Sequence, residues 1–128
     1  KKDLQFDTLS VDHIKNSSLN QKLKSAGALR HEQSKAVKRE IRQSPYPVVV
    51  VGDFNAIPLS YVYWKIRFGL QDCFLAGSFG KLGSTYQRGP LGIRIDYILC
   101  SRKLTPIKCE VDRVTYSDHF PVIATMGW

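Results

Sequence analysis

The sequence contains no apolar run long enough to cross a bilayer, and it opens on Lys1 without a signal-peptide pattern. These residues therefore offer no membrane-spanning helix, and the opening reads as that of a piece of a longer or processed protein. Cysteine is scarce: Cys73, Cys100 and Cys109 are odd in number, with no paired spacing of the kind that holds zinc or a redox centre. A Cys100–Cys109 bridge is open on spacing, but buried free thiols are the better expectation. The glycine-rich stretch 77–83 lacks the lysine–serine ending of a phosphate-cradling loop and reads as a mobile loop. Repeats and low-complexity tracts are absent.

Acidic residues are also few, 11 against 19 Lys and Arg, giving a formal net charge of +8 and a pI near 9.6. Such a balance favours anionic partners: nucleic acid, phosphorylated metabolites or an anionic membrane face. The excess is uneven. Residues 1–47 hold 10 Lys and Arg against 5 Asp and Glu, the rest 9 against 6, so much of it lies away from the motifs described next.

With 128 residues and 43% hydrophobic content, the chain can form one compact domain with a modest core. Residues 1–24 show no lasting period and read as irregular with short turns. A helix is predicted over residues 26–43, with Leu29, Ala36, Val37 and Ile41 on one stripe and Lys35, Lys38, Arg39 and Arg42 on its solvated face. Ser44-Pro45 ends it. Residues 46–51 form a β-branched run expected to be covered on both faces. A short helix is expected over 61–68, closed by Gly69, with Tyr61, Tyr63, Trp64 and Phe68 packing on a sheet in preference to stacking on bases. Further strand signals fall at 84–87, 93–99, 107–114 and 120–126, with a turn at Gly89-Pro90.

Three polar breaks stand in or beside these strands: Gly52-Asp53-Phe54-Asn55, Arg94-Ile95-Asp96-Tyr97 and Ser117-Asp118-His119-Phe120. Taken singly, each has a plain reading: Asp53 and Asn55 as turn residues, Arg94 as a structural ion-pair partner for Asp96, Asp118-His119 as a turn cap. Buried without partners such groups are costly, so their joint occurrence points to a shared site. Asp118 and Asp53 suit a hard divalent cation such as Mg2+ or Mn2+. Asn55 can donate amide hydrogens to a phosphoryl oxygen. His119 can take a proton from water near neutral pH, with a carboxylate fixing its tautomer.

In this order the motifs Val48-Val49-Val50-Val51-Gly52-Asp53-Phe54-Asn55, Ser84-Thr85-Tyr86, Arg94-Ile95-Asp96-Tyr97-Ile98 and Ser117-Asp118-His119-Phe120-Pro121-Val122 resemble the endonuclease/exonuclease/phosphatase family. The helix carrying Arg30, Glu32 and Gln33 is similar to the family's too. The resemblance implies an α+β fold, the C-terminal half of a DNase I-like four-layer α/β sandwich, with one mainly antiparallel sheet and flanking helices. It implies a metal-dependent phosphoesterase using in-line water attack on a phosphodiester or phosphomonoester. On those matches His119 resembles the catalytic histidine and Asp96 its orienting carboxylate. Asp53 and Asn55 resemble residues at the phosphate and leaving group, and Asp118, with Asp53, the metal ligands. Asn55, Thr85 and Arg94 would contact substrate.

The family's N-terminal half, with its glutamate, asparagine and second histidine, has no counterpart in residues 1–27. The expected organisation is thus an irregular connection over 1–27 and a half-domain over 28–128. Half a sandwich exposes the inner face of its sheet. The missing half or a second copy would cover it, and the fragment alone would be inactive. Substrates open to it are nucleic acid, phospholipid or a phosphorylated small molecule, with Lys81 and Arg88 as loop contacts. A non-catalytic nucleic-acid- or phospholipid-binding domain of the same fold is the alternative.

Overall fold

The computed structural model describes residues 8–78, 83–87, 90 and 92–128, with side chains from Ser18 onward. It divides into two units, residues 1–33 and 34–128. In the first, the described residues belong to the long helix α1 (Thr8–Gln43). Residues 8–24 are thus part of one continuous helix, where an irregular stretch with short helical turns was expected. No proline precedes Pro45, and Leu, Lys, Gln and Ala supply ordinary helix propensity even though no apolar stripe persists.

The second unit takes the C-terminal part of α1 and adds β1 (Val49–Asp53), α2 (Tyr61–Arg67), β2 (Leu70–Asp72), α3 (Cys73–Gly77), β3 (Asp96–Ser101), β4 (Thr105–Val111) and β5 (Val122–Gly127). Helix α2 starts where Ser60 accepts a hydrogen bond from the Tyr63 amide at 3.2 Å. It stops at Gly69, whose φ of 86° lies in the left-handed region that glycine enters without a Cβ penalty. Helix α3 is capped by Asp72, whose Oδ1 accepts from the amides of Phe74 and Leu75.

Two antiparallel sheets result, one with strand order β1-β3-β2 and one pairing β4 with β5. Strand pairing places Val49 opposite Cys100 and Val51 opposite Ile98, so these four share a face. The other face carries Val48, Val50, Tyr97 and Leu99, packed with Tyr63, Ile66 and Leu70 and with Val37 and Ile41 of α1. On the first face Ile98 and Cys100 join Cys73, Phe74, Leu104 and Cys109 against Val111, Val122, Ala124 and Met126 of β4 and β5. That cover stops short of β1: Val49 and Val51 stay 43% and 68% exposed, and β1 is an edge strand among the described residues. The expectation that the 46–51 run is covered on both faces therefore fails on one of them, because nothing described here lies over the β1 end of the sheet.

All three cysteines are free and buried, as expected. Burial pushes the Cys73 thiol up to about 12, reinforced by Cys100, and raises Cys109 as well. Of the four aromatics at α2, only Tyr63 packs into the core. Tyr61, Trp64 and Phe68 are more than half exposed, because the apolar stripe that α2 turns to the sheet is narrow and takes Tyr63 and Ile66. Residues 79–82, 88, 89 and 91 lie outside the described residues, and with them Lys81, Arg88, most of the glycine-rich connection and the Gly89 turn.

Candidate active site

Three short segments converge where β1 ends and β3 begins. In the β1–β3 register Asp53 stands directly opposite Asp96. Two carboxylates so placed repel unless a cation or donor sits between them. His119 answers Asp96: its Nδ1 lies 3.0 Å from Oδ2 and 3.2 Å from Oδ1. The hydrogen bond to Asp96 raises the His119 pKa, and the charges of Asp96, Asp53 and Asp118 add to it against partial desolvation. With Nδ1–H held by a carboxylate, Nε2 is the nitrogen left to exchange a proton with a reactant.

The His119 segment is held by Ser84-Thr85-Tyr86. The Phe120 amide donates to the Thr85 carbonyl at 2.7 Å, and the Gln87 amide to the Asp118 carbonyl at 3.0 Å. Tyr86 bridges both Ile93 and His119, its ring centroid 4.7 Å from the imidazole. Thr85 itself is fully buried, and its Oγ1 accepts from the amides of Ile95 and Asp96, each at 3.0 Å. It was expected to contact substrate; here its hydroxyl oxygen fixes the backbone that carries Asp96.

Asp53 and Asn55 form a tight turn. Asp53 Oδ1 accepts from the Asn55 amide at 2.7 Å, and Oδ2 from its Nδ2 at 3.2 Å. Asn55 has φ 46°, a left-handed conformation that asparagine tolerates better than most residues. One of the two Nδ2 hydrogens is thus committed to Asp53. The Tyr97 hydroxyl lies 2.7 Å from the Ala56 carbonyl and 2.9 Å from that of Arg94, tying this turn to the start of β3.

Asn55, Asp118 and His119 line one open cleft of about 300 Å3 with Ile57, Tyr86, Ile93 and Ile95. A larger cavity of about 540 Å3, bordered by Phe74, Ser84, Arg94 and Arg113, contains none of the carboxylates or the histidine. Arg94 is not brought to the His119 cluster. Its Nη1 sits 2.8 and 3.0 Å from the two oxygens of Asp72, a fully buried carboxylate that also accepts from the Tyr63 hydroxyl at 2.7 Å. Burial and that bond push the Tyr63 phenol up to about 12. Sequence reasoning missed Asp72. A usable signal was present, an aspartate immediately before the apolar run Cys73-Phe74-Leu75-Ala76, which is an N-cap pattern.

Ligand atoms of Asp53, Asp96 and His119 lie within 4.8 Å of one another. Within that cluster Asp96 is paired with His119 Nδ1, which leaves Asp53 as the carboxylate open to a cation. Asp53 and Asp118 are both exposed, and the charge of each acts on His119. Magnesium commonly uses one or two carboxylates and fills its other positions with water and phosphate, so these residues fit it.

The model of the endonuclease/exonuclease/phosphatase family matches residues 25–119. No curated protein gives a significant match. Among solved structures, an endonuclease/exonuclease/phosphatase from Bacteroides vulgatus is similar at 22% identity and TM-score 0.67, over 77% of this chain and 43% of that one. A family protein from Bacteroides thetaiotaomicron gives 22% and 0.58, over 76% and 41%. A mannosyl-6-phosphatase from the same organism gives 20% and 0.56, over 77% and 44%. At these identities the likeness establishes the α+β, DNase I-like fold, and the chain spans less than half the length of the structures it matches.

Proposed function

From the chain's membership of the endonuclease/exonuclease/phosphatase family, we propose that it supplies the C-terminal part of a metal-dependent phosphoesterase active site. The observation that carries this reading is the His119–Asp96 pair, Nδ1 to Oδ2 at 3.0 Å, set opposite Asp53 at the end of β1. His119 takes the proton of the attacking water at Nε2. Asp96 holds the imidazole in the required tautomer and stabilises the imidazolium that forms. Asn55 donates from Nδ2 to a non-bridging phosphoryl oxygen, adding no negative charge beside an anion. Asp118 and Asp53 would hold Mg2+ or Mn2+, which when bound neutralises charge on the phosphoryl oxygens.

The uncovered strip at Val49 and Val51 supports a site completed by further polypeptide, either the complementary half of the fold or a second copy. Plasmid nicking and phosphomonoester hydrolysis in magnesium test this, on the chain alone and with the complementary half supplied in trans. Activity is expected only on mixing, and the substrate that responds assigns diester or monoester chemistry. His119→Ala is expected to abolish turnover and leave substrate binding in place. Unchanged hydrolysis in that variant sinks the catalytic assignment, and robust hydrolysis by the chain alone sinks the claim of incompleteness.

A further inference from the structure

The helix-covered side of the sheet carries a second concentration of chemistry, made by α1 and α2 within residues 34–128. Lys35, Lys38, Arg39 and Arg42 recur at the spacing of one helical face. Lys35, Arg39 and Arg42 are exposed, as the sequence suggests, and Lys38 is the exception. Together with Gln43 and with Lys65 of α2 they line a groove of about 390 Å3 that no carboxylate borders. Lys38 is buried, and its ammonium donates to the Phe68 carbonyl. Burial, with Arg42 and Lys65 alongside, lowers its pKa. Lys38, Arg39, Arg42 and Lys65 are like charges gathered in one groove, and a bound polyanion relieves their repulsion.

Aromatic surface adjoins two of the groove's cations, Tyr61 beside Lys65 and Phe68 beside Lys38. Tyr61 and Trp64 of α2 and its C-cap Phe68 are 53%, 53% and 73% exposed. Each has a cation near its ring: Lys65 Nζ at 5.9 Å from Tyr61, Arg67 Cζ at 5.0 Å from Trp64, Lys38 Nζ at 5.3 Å from Phe68. A double helix hides its base faces, and a lipid surface offers no flat rings to stack. A single strand presents both a phosphate run and unstacked bases, the combination that a basic groove beside exposed rings recognises.

We propose that the α1–α2 surface is a binding site for single-stranded nucleic acid, with Arg39, Arg42 and Lys65 on phosphates and Trp64 and Phe68 under bases. The site goes beyond the phosphoesterase reading and does not depend on it, since none of these residues belongs to the His119 cleft.

Anisotropy of a fluorescein-labelled oligothymidylate tests it on the whole chain, with inorganic polyphosphate and a DNA duplex as competitors. The affinity is expected to fall with salt. Arg39→Glu with Arg42→Glu should flatten that dependence by about 1.4 in log–log slope, about 0.7 for each phosphate no longer neutralised. Trp64→Ala with Phe68→Ala should weaken the oligonucleotide about tenfold or more and leave polyphosphate unaffected. Far-UV circular dichroism checks that both variants fold. Trp64 emission in the Trp128→Phe chain gives a readout that leaves the groove intact, and quenching by the oligonucleotide is expected.

No binding at low salt overturns the proposal, as does unquenched Trp64 emission. So does an aromatic variant that binds oligonucleotide as well as before, which would leave only a generic anion surface. Capture of the chain by vesicles rich in phosphatidylserine, in preference to the oligonucleotide, would reassign the surface to membranes.

Discussion

Arg94→Met separates two roles that the sequence leaves open for this residue, phosphate contact and structural ion pair. The Arg94 side chain is 10% exposed and that of Asp72 0%, with Nη1 at 2.8 and 3.0 Å from the carboxylate oxygens. The guanidinium also lies over the rings of Tyr97, Phe74 and Tyr63, at 4.9, 5.3 and 5.9 Å. Methionine keeps much of that packing but strands a buried charge. Breaking a buried pair from one side costs about 3–5 kcal/mol. Asp72 would retain the Tyr63 hydroxyl and two amide donors, so the lower end, about 3 kcal/mol, is expected. Against a total stability of about 5–15 kcal/mol this is a large loss. With a urea slope of about 1.5 kcal/mol per M, it lowers the unfolding midpoint by about 2 M. Adding Asp72→Asn should recover part of the loss, giving a coupling above about 1 kcal/mol in a double-mutant cycle. A midpoint shift below about 0.5 M in Arg94→Met, or strict additivity, would refute the structural assignment. Unchanged stability with weakened phosphate binding would return Arg94 to the substrate site.

Removing the carboxylate partner of His119 should act on its titration. In the metal-free chain, proton NMR is expected to place its pKa above the ordinary 6.5, and Asp96→Asn to lower it. Because the folded value is raised, the pair's contribution to stability is present in full below the unfolded pKa and disappears as pH rises through the folded one. An unmoved titration in Asp96→Asn would mean that the pair does not persist in solution. Thr85→Val strands the amides of Ile95 and Asp96 at a buried position. A loss of about 2–4 kcal/mol in urea unfolding is expected, with Thr85→Ser recovering most of it. The His119 titration should shift in the valine variant alone, since a merely destabilised core would not displace Asp96.

The parts of this molecule that were legible in the sequence are those in which one residue type has one local job. Ser60 and Gly69 bound α2 as their side-chain chemistry dictates. The alternation through 93–99 puts Tyr97 and Leu99 in one core layer, and the polar breaks at Asp53, Asp96 and His119 meet at one strand end. What stayed hidden depends on partners distant in sequence. Alternation along a strand over 93–99 would set Arg94 and Asp96 on one face, yet β3 begins only at Asp96, and the partner of Arg94 is Asp72 and that of Asp96 is His119. Proximity along a strand does not decide between them, because a buried carboxylate at a helix N-cap already offers fixed geometry to a guanidinium. The core position of Lys38 was invisible for the same reason. Three of the four cations on that stripe are exposed as their spacing suggests, whereas Lys38 is covered where the Phe68 carbonyl at the end of α2 accepts from it and Lys65 lies alongside. Local pattern fixes where a charge sits on its own element. The elements packed against it fix whether that charge is a surface ornament, a strut or a site, and here the strut is Arg94 and the catalytic candidates are the charges left facing the open cleft.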